Sequence, residues 1–131
     1  MNVSDFHVGD TVFLMQELCG AKIELRYCVC KITKVGRKYL YVDAPYTYAQ
    51  RFELDHVRYD RYLWSNNGYT TRLYASKDQV FEDFNASIAY RQLKKVFNDS
   101  SPATFGFTYD ALKRVAEILQ IELPEEVKFN G

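Results

Sequence analysis

The chain has 131 residues, 47% of them hydrophobic and 26% charged, which is the composition of one globular domain with a core of ordinary size. Its 17 Lys and Arg balance its 17 Asp and Glu, so bulk charge draws it neither to nucleic acid nor to an anionic membrane. No apolar run approaches the ~20 residues that span a bilayer, and Met1–Asp5 has no signal-peptide character, so the expectation is a cytoplasmic protein.

In chain order, Gly9-Asp10 is a turn dipeptide that feeds a strand in which Val12 and Leu14 face one way. Residues 17–24 read as a connector that turns at Gly20. From Tyr27 to Asp43 the pattern is a β-hairpin. Cys28, Cys30 and Ile32 fall on one face of the first arm, and Leu40 and Val42 on one face of the second, because strand side chains alternate with a period of two. Gly36-Arg37-Lys38 separates the arms, and Tyr39, Tyr41 and Lys31 point away from the apolar side.

A Val-Gly-Asp-x-Val entry at residues 8–12, a long connector and a strand that runs through Ile32 and Val35 into a tight hairpin resemble the small Src-homology-3-like (SH3-like) barrels over residues 8–75. The resemblance implies a five-stranded antiparallel barrel of the kind used by adaptors that bind proteins or nucleic acids. Residues 44–49 are a loop, because Pro45 cannot donate to a ladder, and Gln50–Leu54 alternates as a fourth strand. The polar-aromatic stretch 55–64 has no clear period and ends in the turn 65–68. Residues 70–75 are a last strand, closing the barrel or pairing with Phe52.

Ser76 is positioned to cap a helix, with Gln79 three residues on and Asp78 in the first turn. Phe81, Phe84 and Ile88, then Leu93, Val96 and Phe97, follow at helical spacing, with a slip near residues 85–87 that implies either a broad stripe or a bend. Thr108 caps a further helix in which Leu112, Val115, Ala116 and Leu119 form an apolar stripe, and Pro124 ends the ordered part. The expected fold is α+β: a small five-stranded SH3-like barrel (8–75) followed by two or three C-terminal helices (76–123), in a single domain of residues 1–131. The hairpin residues 32–42 and the run Leu73-Tyr74-Ala75-Ser76-Lys77 leading into a helix resemble small proteins of bacteriophages and mobile elements of Gram-positive bacteria. That resemblance implies a context and brings no catalytic residues.

Motifs for catalysis are sparse. The six glycines are scattered singly, so there is no phosphate-cradling loop, and no Gly-x-Ser-x-Gly elbow is present. His56, with Asp55 and Asp60 close in sequence, is the one centre around which a small hydrolase could form. Cys19, Cys28, Cys30, His7 and His56 are the available metal ligands, but they lack the two close pairs of a tetrahedral zinc site, so no metal or other cofactor is expected.

The distinctive signal is aromatic and cationic. Nine of the 11 tyrosines lie between Tyr27 and Tyr74, interleaved with arginines and lysines. Tyrosine and arginine anchor interfaces because they bury area and keep a polar tip. Two clusters are expected to bind a partner: Lys31, Lys34, Arg37, Lys38, Tyr39 and Tyr41, and then Arg58, Tyr59, Arg61, Tyr62 and Trp64. The leading expectation is a non-enzymatic phage or mobile-element protein that occupies a larger host protein or ribonucleoprotein complex, such as an inhibitor of a host defence system of the anti-CRISPR type. A nucleic-acid-binding accessory protein is the alternative, since bases stack on rings while cations follow phosphates.

Overall fold

The computed structural model describes residues 1–16, 24–65, 70–99 and 106–126. Among these residues are seven strands and two α-helices. The strands are β1 (Thr11–Gln16), β2 (Tyr27–Val35), β3 (Tyr39–Val42), β4 (Arg51–Glu53), β5 (Val57–Arg58), β6 (Tyr62–Ser65) and β7 (Thr71–Tyr74). The helices are α1 (Lys77–Asp99) and α2 (Tyr109–Leu119), and a short 3-10 turn covers Val3–Asp5. The chain divides into two compact units, Met1–Ala89 and Tyr90–Gly131.

All pairings are antiparallel, in the order β4-β3-β2-β1-β7-β6-β5. The class is therefore α+β with a barrel-like sheet, but with seven strands rather than the expected five. The two extra strands come from residues 57–65, where the sequence carries no clear period. β5 has only two residues, and the turn after it uses Tyr59 and Asp60 instead of Asn-Gly. The last strand, β7, pairs with β1 and β6 and not with Phe52, which lies on β4 beside β3.

Local chemistry explains the first hairpins. Gly9 sits at φ +92, a conformation open to glycine, and its N–H donates to the Ile32 carbonyl at 2.8 Å while the Ile32 N–H donates to Asp10 at 3.0 Å. Between Ile32 and Lys34 the register shifts by a bulge. The shift reverses parity, so Lys34 joins Lys31 on the outer face even though the two positions differ by an odd number.

Two apolar layers hold the first unit together. Val12, Leu14, Cys30, Ile32, Leu40, Val42, Phe52, Leu63 and Leu73 are buried on the inner face, with Cys28 half-buried against them. The sheet curls so that Ser65 Oγ on β6 donates to the Arg51 carbonyl on β4 at 2.8 Å, and the Ala49 N–H donates to Thr71 Oγ1 at 2.9 Å. On the outer side Met15, Tyr62, Tyr74 and Val80 form a second layer, which ties the start of α1 to β1, β6 and β7. Ser76 accepts from the Gln79 N–H at 3.3 Å as the expected cap. α1 continues without interruption through residues 85–87, where Ser87 Oγ donates to the Asp83 carbonyl; of the expected second set Leu93 and Phe97 are exposed. Val80 and Asp83, absent from the expected stripe, are its buried residues.

In the second unit Thr108 caps α2, accepting from the Ala111 N–H at 3.1 Å, and Gln120 ends it in the left-handed region at φ +57. Of the expected stripe, Ala116 is buried and Leu112 half-buried, whereas Val115 and Leu119 are exposed. Residues 121–126 have no regular structure. The expected turn at Gly20 and the Ser65–Gly68 turn beyond Ser65 lie outside the described residues. Among the described residues no helix is long and apolar enough to cross a membrane.

Candidate functional site

The outer face of β2, β3 and β4 is built by strand alternation. With Leu40, Val42 and Phe52 committed to the inner core, Tyr39, Tyr41, Arg51 and Glu53 must point outward. The antiparallel register sets Tyr39 opposite Glu53, Tyr41 opposite Arg51, and Lys34 opposite Tyr41. The Tyr39 and Tyr41 rings lie 6.5 Å apart. Arg51 stacks on Tyr39 at 4.5 Å, Lys38 reaches the same ring at 5.3 Å, and Lys34 reaches Tyr41 at 5.5 Å. Arg37 is exposed in the turn, and Lys31 ends the face, its N–H donating to Asp43 Oδ1 at 2.7 Å. The first expected cluster is thus brought together, with Arg51 added to it. Arg51 was visible in the sequence as an outward residue of an alternating strand, but its neighbours depend on the β3–β4 register.

The second expected cluster is divided by the fold. Tyr62 is 4% exposed and packs on Tyr74 at 5.3 Å between centroids. Arg61 turns to α1, where it bonds Asp83 and lies 3.5 Å from Glu82. Arg58, Tyr59 and Trp64 remain at the surface: Arg58 stacks on Trp64 at 4.6 Å, and Tyr59 is 80% exposed. They line a shallow depression with Asp55, His56 and Val57.

Glu53 connects the two clusters. Its Oε1 is 3.3 Å from Lys38 Nζ, and its Oε2 is 2.6 Å from His56 Nε2. The His56 ring in turn lies 6.5 Å from Trp64. A turn holds this arrangement, with the His56 N–H donating to the Glu53 carbonyl at 3.1 Å and the Trp64 N–H to the His56 carbonyl at 3.0 Å. A single strip therefore runs from Lys34 through Tyr41, Tyr39, Lys38, Glu53, His56 and Trp64 to Arg58. Its hydrogen bond to Glu53, and then its contact with Tyr39, hold the Lys38 ammonium above the ordinary lysine range.

Among the described residues one group of potential metal ligands gathers, Glu53, Asp55 and His56, with donor atoms within 4.8 Å of one another. A cation there would compete with Lys38 for Glu53. Cys28 and Cys30 form a separate inner pair. The hydrogen bond that the Cys30 thiol donates to Cys28, reinforced by burial, raises Cys30 far above its usual range, and the same bond lowers Cys28. His7 lies instead beside Asp10, at 3.8 Å, and Cys19 is outside the described residues. His56 is held by Glu53 and lies 3.9 Å from Asp55. Asp60 bonds the Met1 amino group at 2.5 Å, and among the described residues no serine or cysteine lines the depression beside His56.

A family described as the phage ProQ C-terminal-like domain matches residues 1–126. The chain belongs to this family. The phage part of the resemblance read from the sequence is supported by that match, and the phage ProQ C-terminal-like domain includes both the curled sheet and α2. No curated protein and no solved structure matches the chain.

Proposed function

We propose that this phage-type domain is a non-enzymatic binding protein whose Lys34–Arg58 strip occupies an acidic surface of a larger host protein or ribonucleoprotein complex. The observation that carries the reading is the state of the tyrosine rings. Arg51 and Lys38 already cover Tyr39, and Lys34 covers Tyr41, so the rings are screened from bases while the cations, Lys38 by exchange of its Glu53 carboxylate, can meet a partner's carboxylates. Stacking platforms for single strands present open ring faces instead. The SH3-like character expected of the curled sheet fits an adaptor of this kind. The phage-type family favours a host complex as the partner, and occupation of its surface would make the protein an inhibitor of a host defence system of the anti-CRISPR type.

The test is capture from a host extract with wild-type protein and with Lys34→Glu and Arg51→Glu, identification by mass spectrometry, and a salt titration of a labelled single strand. The expected outcome is a protein captured by the wild type and lost in both variants, each anchor carrying roughly 2 kcal/mol or more. Single-strand binding that is lost in Lys34→Glu and Arg37→Glu and weakens with a log–log salt slope of about −0.7 per phosphate contact would overturn the reading in favour of nucleic acid.

A further inference from the structure

We propose that Glu53 is an internal competitor on the binding strip: its carboxylate holds Lys38 and His56 in the free protein and yields them to a carboxylate of an acidic protein segment on binding. This rests on the strip being the binding face. Glu53 is the one acidic residue in β2, β3 and β4, where every other charged residue is a cation. The register places it opposite Tyr39, next to Arg51 and Lys38, in the middle of the strip. Its side chain is 23% exposed, against 65% for Lys38 and 43% for His56, so it lies lower than the groups it bridges and an incoming anion meets those groups first.

The geometry is also that of a stand-in. A carboxylate with one oxygen 3.3 Å from an ammonium and the other 2.6 Å from an imidazole nitrogen shows how the strip would hold a partner's glutamate or aspartate. Exchange of one carboxylate for another conserves the number of charge-assisted bonds. The partner therefore gains only the difference between its own contacts and those of Glu53. With Glu53 present the strip rejects weakly acidic surfaces and accepts segments with several carboxylates, which also engage Lys34, Arg51 and Arg58.

The experiment uses the full chain and two labelled probes, a polyglutamate peptide and a single-stranded oligonucleotide of similar charge. Affinities are measured at low salt for the wild type, Glu53→Gln, Glu53→Asp and Lys34→Glu, with Asp5→Asn as a control for net charge. Glu53→Gln is expected to tighten the peptide about two- to fivefold, the range of one exposed ion pair, with Asp5→Asn unchanged. Glu53→Asp, which keeps the charge and shortens the reach, falls between. The Lys38 ammonium titrates lower in Glu53→Gln by NMR, and the His56 ring signals of the wild type move when peptide is added. Peptide binding lost in Lys34→Glu but equal or weaker in Glu53→Gln overturns the competitor role and leaves the binding face standing. Failure of every variant to bind the peptide, or preference for the oligonucleotide, overturns the binding face itself.

Discussion

Asp83 shows how much one side chain can decide here. It is 9% exposed on α1 and accepts from the Tyr74 hydroxyl at 2.8 Å and from Arg61. Arg61 Nε is already buried without a hydrogen-bond partner, which adds weight to the bond its other end makes to this carboxylate. Asp83→Ala would remove the acceptor shared by a buried phenol, which keeps its bond to Arg72, and a partly buried guanidinium, which keeps Glu82 at 3.5 Å, at a cost of about 1–3 kcal/mol. Urea unfolding of the full chain measures it; a change near zero would mean that water replaces the carboxylate without penalty. In sequence Arg61 looked like an interface residue beside Tyr62. Its commitment to α1 comes from a residue 22 positions away, beyond any local pattern.

At the scale of elements, the β5–β6 hairpin combines a tight turn with unfavourable residues. Tyr59 at φ +53 and Asp60 at φ +56 both occupy the left-handed region, and the Arg61 N–H closes the turn on the Arg58 carbonyl at 3.0 Å. This is the type I′ geometry that ordinarily takes Asn-Gly. Tyr59 is exposed, so replacement removes little buried area. Tyr59→Asn is expected to raise stability by about 0.5–1 kcal/mol, because asparagine tolerates this conformation better. It should also weaken capture of the partner if Tyr59 belongs to the strip. Thermal unfolding and the capture assay read the two effects on one variant, and a loss of stability would contradict the strain.

For the molecule as a whole, three raised groups act at the alkaline limit beside the Cys30 thiol, whose rise is opposed by the lowering of Cys28. Burial lifts the Tyr74 and Tyr48 phenols above the usual tyrosine range, and Glu53 lifts Lys38. In each case the folded state keeps its proton longer than the unfolded chain. Their contribution is therefore complete below the unfolded values of about 10 for tyrosine and 10.4 for lysine, and is lost as pH rises from there through the higher folded values. The thermal midpoint should fall from about pH 9.5 upward, and in Tyr74→Phe, measured relative to its own neutral-pH value, it should fall less. An identical decline in wild type and variant would remove Tyr74 from the cause.

The sequence by itself determined the elements whose signals are local. Period-two alternation placed β1 and the β2–β3 hairpin and chose Val12, Leu14, Ile32, Leu40 and Val42 for the inner core. The hydroxyls of Ser76 and Thr108 marked both helix starts, because a cap acts over three residues. The Tyr–cation signal of the hairpin also marked the residues that gather around Tyr39 and Tyr41. Tertiary structure decided the rest. β5 is too short for a period to show, and it is the bulge after Ile32 that puts Lys34 on the outer face, where the cluster expected it. The β3–β4 register brought in Arg51 and Glu53, while Arg61 turned to the α1 carboxylates and Tyr62 was buried against Tyr74. A strand pattern states which way a side chain points. Which charge it meets depends on a partner strand fixed by register and by the curl of the sheet, and those follow from burying the whole apolar face at once.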